Sequence, residues 1–160
     1  MSFCLNLVLR NYQRLKRVDL RLLRRIAKAL LVELLAMKDF DLGIYIVDTA
    51  EITRLNETFL NHAGSTDVIT FNYLPTVRTD RLHGEIFICL EEGIAQARSF
   101  RTTWAAEVVR YLVHGVLHLR GRDDLTSAAR RRMKREEDSL LRELERRFAF
   151  TKLGLPRASR

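Results

Sequence analysis

"YLVHGVLHLRGRDDLT", residues 111–126, places two histidines four apart, follows them with a glycine and closes on two aspartates. It ends the longer run "TWAAEVVRYLVHGVLHL" (103–119), whose apolar spacing predicts a helix stopped by Gly121. On a helix, residues i and i+4 stand one above the other, so His114 and His118 point two imidazoles at one place. A glycine after the last turn lets the chain fold back, which brings Asp123 or Asp124 to where a third ligand belongs. Two imidazoles and a carboxylate suit Zn²⁺ in a tetrahedron with water in the fourth position, the mark of a catalytic site. The plainer alternative is a pair of ordinary histidines a turn apart, and HxxxH alone is a weak signal. Gly115, Gly121 and the acidic pair together strengthen the metal reading.

The residue after His114 separates reaction classes. Helical zinc peptidases carry HExxH, with the glutamate as general base. Gly115 stands there instead, and loss of such a base typically costs about 10² to 10⁴ in rate. A phosphodiester needs no such residue, because a metal can stabilise phosphate charge and activate water. RNA also offers its own 2′-hydroxyl as a nucleophile.

Working outward, "SFCLNLVLRN" (2–11) alternates Phe3, Leu5, Leu7 and Leu9 as a strand. Asp19 caps a helix to about Met37 with a stripe from Leu20 to Leu35. After the break "KDFDLG", "IYIVD" (44–48) is a short strand, and Thr49 caps a helix over 49–61. "DVITFNY" (67–73) and "GEIFICL" (84–90) read as strands. Helices follow at about 91–99, 103–119 and 126–148. This order predicts one α+β domain of layered α/β character over residues 1–150: a small mixed four-stranded sheet covered by about five helices. Residues 151–160 read as a flexible C-terminal tail.

The chain has 160 residues, 47% hydrophobic and 30% charged, with a formal net charge of +8. That excess suits a polyanion, above all nucleic acid. Aromatic residues are few, so backbone contacts would dominate binding. Arg14, Lys16 and Arg17, then Arg24, Arg25 and Lys28, then "ARRRMKRE" (129–136) form basic runs. In the last helix, Glu136, Glu137, Glu143 and Glu145 interleave, so much of it reads as a solvated, self-paired face. Cys4 and Cys89 sit in apolar runs and read as buried thiols in a reducing compartment. No signal-peptide pattern is seen, and no apolar run approaches roughly 20 residues. A cytoplasmic protein without a membrane partner is expected.

"HGVLHLRGRDD" (114–124) resembles the HGxLHLxGYDH signature of the YbeY family, bacterial metal-dependent endoribonucleases of rRNA maturation. "LNETFLNHAGSTDVITF" (55–71) is similar to that family's LNxxYRxxxxPTDVLSF segment, and "GEIFIC" (84–89) to its GDIxIS strand. The matches follow the family's order and spacing. The resemblance implies a zincin-like HxxxH helix and a single-strand-specific endoribonuclease of 16S rRNA 3′-end maturation and ribosome quality control. One zinc per chain would be held, as the catalytic group, by His114, His118 and Asp124, the last in place of a third histidine. The implied partners are rRNA in the small ribosomal subunit and ribosome-associated proteins, with no DNA.

The family's arginine after its aromatic is Leu60 here, so another cation must hold the scissile phosphate. Arg54, Arg98 and Arg120 are candidates, and Arg122 stands beside the site. Asp123 is expected to orient a histidine or the turn. Glu107, two turns before His114, is a candidate orienting acid. Thr66 and Asp67 keep the family's TD pair, near the cleft or as a strand-start cap. His62 and His83 are candidate fourth ligands or RNA contacts, though loop histidines are commoner. Two rivals stand: a zinc metallopeptidase or other metal hydrolase, and a non-catalytic ribosome-binding factor with structural zinc.

Overall fold

In the computed structural model, which describes residues 2–154, period-two apolar patterning builds one four-stranded sheet. β1 (Leu5–Asn11), β2 (Asp39–Val47) and β4 (Arg81–Cys89) run parallel, and β3 (Val68–Asn72) joins β4 antiparallel, giving the order β1-β2-β4-β3. The expected mixed sheet is therefore present. β2 starts five residues before the expected Ile44. "KDFDLG" is no break, because Phe40 and Leu42 continue the buried alternation of Ile44 and Ile46 while acids and Gly43 mask it. β4 likewise starts at Arg81 rather than Gly84.

Five α-helices cover the sheet. α1 (Leu20–Lys28) is capped by Asp19, whose carboxylate accepts from the Arg21 and Leu22 amides, and it runs on as a π-helical segment, Ala29–Leu34. α2 (Thr49–Leu60) is capped by Asp48 rather than Thr49: the Asp48 carboxylate accepts from the Glu51 amide at 2.9 Å. α3 (Leu90–Phe100), α4 (Trp104–Leu119) and α5 (Ser127–Arg147) complete the set. Leu23 and Ile26 of α1, Val108, Leu112 and Val116 of α4, and Met133, Leu141 and Leu144 of α5 share one core with Phe40, Leu42, Ile86 and Ile88. On the opposite face, Ile52 and Leu55 of α2 pack on Val47, Ile69 and Cys89.

Both chain ends depart from expectation. Phe3 and Leu5 lie outside the core, and Cys4 is exposed, so Cys89 is the one buried thiol. The expected free tail is corrected over 151–154: Phe150–Gly154 forms a 3₁₀ turn with Leu153 fully buried. The Leu153 carbonyl accepts from the Asp19 amide at 2.8 Å, where α1 begins. Positions 155–160 of that tail lie outside the described residues. No helix among the described residues is long and apolar enough to cross a membrane.

One glycine sets the depth of α4 on the sheet. A Cβ on Gly115 would come within 2.8 Å of Ile86 Cγ2, and Ile86 is fully buried. The helix therefore lies close over β4 at this point. Gly115→Ala should lower stability by about 1 to 2 kcal/mol, the overpacking cost outweighing the gain in helix propensity. It would be read as a reduced urea midpoint with an unchanged slope.

Candidate metal centre

α4 is a core helix with one wetter edge. From Tyr111 to Leu119 every residue is buried except His114 and His118, and Arg110 one turn earlier shares their half-exposed line. Thr103 starts the helix by accepting from the Ala106 amide at 3.1 Å. At the other end the Gly121 amide donates to the His118 carbonyl (2.9 Å) and the Arg122 amide to Leu117 (3.0 Å). Gly121 adopts φ +95°, a conformation that suits glycine at a helix end. The Leu125 amide then donates to Asp123 Oδ1 at 3.1 Å, so Asp123 shapes the turn that presents Asp124.

The two rings converge. Their Nε2 atoms are 3.0 Å apart, with ring planes at 76°. One donor atom from each of His114, His118 and Asp124 lies within 4.8 Å of the others. Two nitrogens on one tetrahedral zinc, each at about 2.0–2.1 Å, stand roughly 3.3 Å apart. The two nitrogens therefore already stand near the spacing such an ion needs, with an Asp124 oxygen within 4.8 Å of both. Among the described residues, neither His62 nor His83 joins the group. His62 follows α2 in an exposed loop, and His83 faces Asp41 and the Tyr73 ring.

The residue that orients the site is Glu137. It is only 5% exposed; its Oε2 meets His114 Nδ1 at 2.8 Å, and its Oε1 accepts from Arg110 Nη1 at 2.7 Å. An ionised carboxylate only accepts, so the proton sits on His114 Nδ1 and the Nε2 lone pair faces the metal position. Burial pushes Glu137 up, but its bonds to His114 and Arg110 prevail and hold its pKa below the usual carboxylate value. Burial likewise pushes both histidines down. On His118 it prevails, reinforced by the charge of His114; on His114 the Glu137 bond and the charges of Glu137, Asp67 and Asp124 outweigh it, and the pKa rises.

Several sequence expectations are redirected. Glu107 is buried and accepts from the Thr102 hydroxyl at 2.7 Å, serving the α3–α4 junction rather than a ligand. Thr66 and Asp67 act as a strand-start cap: the Val68 amide and the Thr66 hydroxyl both donate to Asp67 Oδ1 (2.8 and 3.3 Å). Asp67 also borders the cleft beside His114. None of the four arginines proposed for phosphate lines that cleft. Arg54 is held by Glu51, Arg98 borders a separate hollow with Lys16 and Trp104, Arg120 donates to the Thr79 carbonyl, and Arg122 pairs with Glu136.

The cleft measures about 660 Å³ and lies between α4 and α5, with Tyr111, His114 and Asp124 on its walls. Its cations come from α5: Arg130, Arg131, Lys134 and Arg135, with Arg110 opposite. Sequence reading set this helix aside as self-paired. The overlooked signal is that Glu137 falls in the buried stripe of Ala129, Met133, Leu141 and Leu144. An acid in such a stripe requires a buried partner.

A family model described as "Endoribonuclease YbeY" matches residues 9–145. The Elusimicrobium minutum protein named Endoribonuclease YbeY is 37% identical over 108 residues, 66% of this chain and 76% of that relative. Its namesake from Chlorobium luteolum is 41% identical over 93 residues, 58% of this chain and 66% of its own length. The solution structure of TM1509 from Thermotoga maritima superposes with a TM-score of 0.64 at 25% identity, covering 88% of this chain and 90% of that one.

The opposed histidine shifts give a pH signature in the metal-free protein. The raised His114 value stabilises the fold fully below the unfolded pKa of about 6.5, and that gain is lost as pH rises through the folded value. The depressed His118 value costs stability as pH falls below the same point, so global unfolding averages the two. Ring-resolved NMR titration separates them. Glu137→Gln should lower the His114 pKa; an unmoved His114 would remove Glu137 from its orienting role.

Proposed function

The chain belongs to the YbeY endoribonuclease family, and on that premise we propose that it is a zinc-dependent endoribonuclease for single-stranded RNA. Its place would be 16S rRNA 3′-end maturation and ribosome quality control in the cytoplasm, at the small ribosomal subunit. A single domain built on residues 1–150 would carry the activity, with one zinc per chain and no DNA substrate. The observation that supports this most is the convergence of His114 Nε2, His118 Nε2 and an Asp124 oxygen beside a cleft rimmed with arginine.

When bound, zinc supplies a Lewis acid for phosphate oxygens and brings the pKa of a water to about 7. His114, His118 and Asp124 would hold it. Compared with a third imidazole, the Asp124 carboxylate adds negative charge and tempers that acidity. Glu137 keeps the His114 proton on Nδ1 and fixes the ring. Arg131 and Arg135, which join none of the ion pairs of α5 among the described residues, are the side chains best disposed to draw the phosphate backbone in. They take the part that Leu60, on the last turn of α2, cannot.

The position after His114 weighs against peptide hydrolysis. Gly115 faces Ile86 against the sheet, so a glutamate there would meet the core before it met a substrate. Purified protein should contain about one zinc per chain by elemental analysis, and His114→Ala or Asp124→Ala should lose it. Cleavage of single-stranded RNA should fall roughly 10² to 10⁴-fold in His114→Ala, with peptides and duplex RNA untouched by any form. Undiminished cleavage by His114→Ala would dispose of this mechanism.

A further inference from the structure

A hollow of about 430 Å³ lies apart from the candidate metal ligands, where the β1–α1 loop meets the start of α4. Lys16, Arg98, Thr103, Trp104 and Thr151 are among the residues that line it, and none of the lining residues is an acid. Lys16 and Arg98 are both exposed. Neither joins an ion pair among the described residues. Two uncompensated cations around one concavity favour an anion. The Thr103 oxygen accepts from the Ala106 amide, so its own proton is free to donate, and Thr151 adds a second hydroxyl.

The loop that brings Lys16 is built rather than slack. Gln13 is only 6% exposed. Its Nε2 donates to Asn11 Oδ1 at 2.8 Å and to the Lys16 carbonyl at 2.6 Å. Its Oε1 accepts from the Leu15 and Lys16 amides at 2.8 and 3.0 Å. One buried side chain thus holds the Lys16 backbone on both sides, with Arg14 and Arg17 exposed on the same loop. A backbone fixed in advance lowers the ordering cost of binding. The first basic run therefore has a defined place in the structure, and the cleft does not use it.

We propose that this hollow is a second RNA contact, which takes a backbone phosphate of the strand outside the cleft with the Lys16 ammonium and the Arg98 guanidinium. The proposal rests on the RNA reading above and extends the bound strand beyond the bond that is cut. α4 carries both places, with Trp104 at the hollow and His114 at the cleft. At about 1.5 Å per residue they lie roughly 15 Å apart along the helix axis. α5 leads from the cleft to the turn that holds Thr151, so the same helix pair joins the two places. Proteins that grip single strands do so with grooves of cations over about 4 to 16 nucleotides, and contacts this far apart suit one strand. The hollow holds no candidate metal ligand, so its contribution is to binding alone.

Trp104 is the only tryptophan of the chain, so its emission reports on the hollow directly. In Asp124→Ala, which should neither hold zinc nor cleave, a single-stranded RNA of about 15 nucleotides should shift that emission as it binds. Adding Lys16→Gln or Arg98→Gln should weaken the binding roughly two- to five-fold each, the range of exposed charge pairs. Each should also flatten the slope of log affinity against log salt by about 0.7, one phosphate contact on a single strand. Lys16→Arg and Arg98→Lys keep the charge and should restore affinity and slope. In the zinc-loaded enzyme the two glutamine variants should raise KM for the same RNA and spare kcat and zinc content. Lys38→Gln removes an equal charge just before β2 and should leave affinity and KM near wild type. Emission that RNA binding does not move, or glutamine variants that behave as Lys38→Gln does, overturns the second contact and leaves RNA cleavage at the cleft standing. A zinc-loaded wild type that neither binds nor cleaves RNA overturns both readings.

Discussion

The contact between Glu137 and His114 governs how this protein is put together. A carboxylate taken out of water is costly unless its oxygens are matched, and Glu137 satisfies one oxygen with His114 and the other with Arg110. Both partners lie on one edge of α4. The bond therefore sets α5 against α4 in one register, which Met133 and Leu141, one turn either side of Glu137, fill with apolar packing. The cleft and its basic rim follow from that docking.

The site divides into two kinds of determinant. The three candidate metal ligands come from eleven consecutive residues, on a helix and the turn that ends it, and their convergence needs little beyond local geometry. The surroundings come from far along the chain. Asp67 arrives at the start of β3, and the cations arrive on α5. The candidate ligands are placed by local geometry, whereas the cleft around them depends on the whole fold.

This division explains what could be read from the residues alone. His114, His118, Gly121 and the aspartates are legible because i, i+4 spacing and a glycine stop are local rules. The mixed sheet is legible because Ile44, Ile46, Ile86 and Ile88 alternate cleanly. The early half of β2 is not, since Asp39, Asp41 and Gly43 look like a turn until β1 and β4 pair on either side. The four arginines expected at the phosphate lie away from the cleft for a related reason. Arg54 and Arg122 find acids nearby, and no sequence period says which cations of α5 face the cleft. Glu137 was hidden among charges that do pair in solvent. Only its place in the apolar stripe set it apart.

The clasp between Leu153 and Asp19 has a consequence for biosynthesis. A ribosome makes the chain from its N-terminus, so the amide that opens α1 waits for a carbonyl made 134 residues later. β1, α1 and β2 can associate early, yet the start of α1 stays untied until translation has passed residue 153. The nascent domain therefore lacks this clasp until the segment around Leu153 has been made.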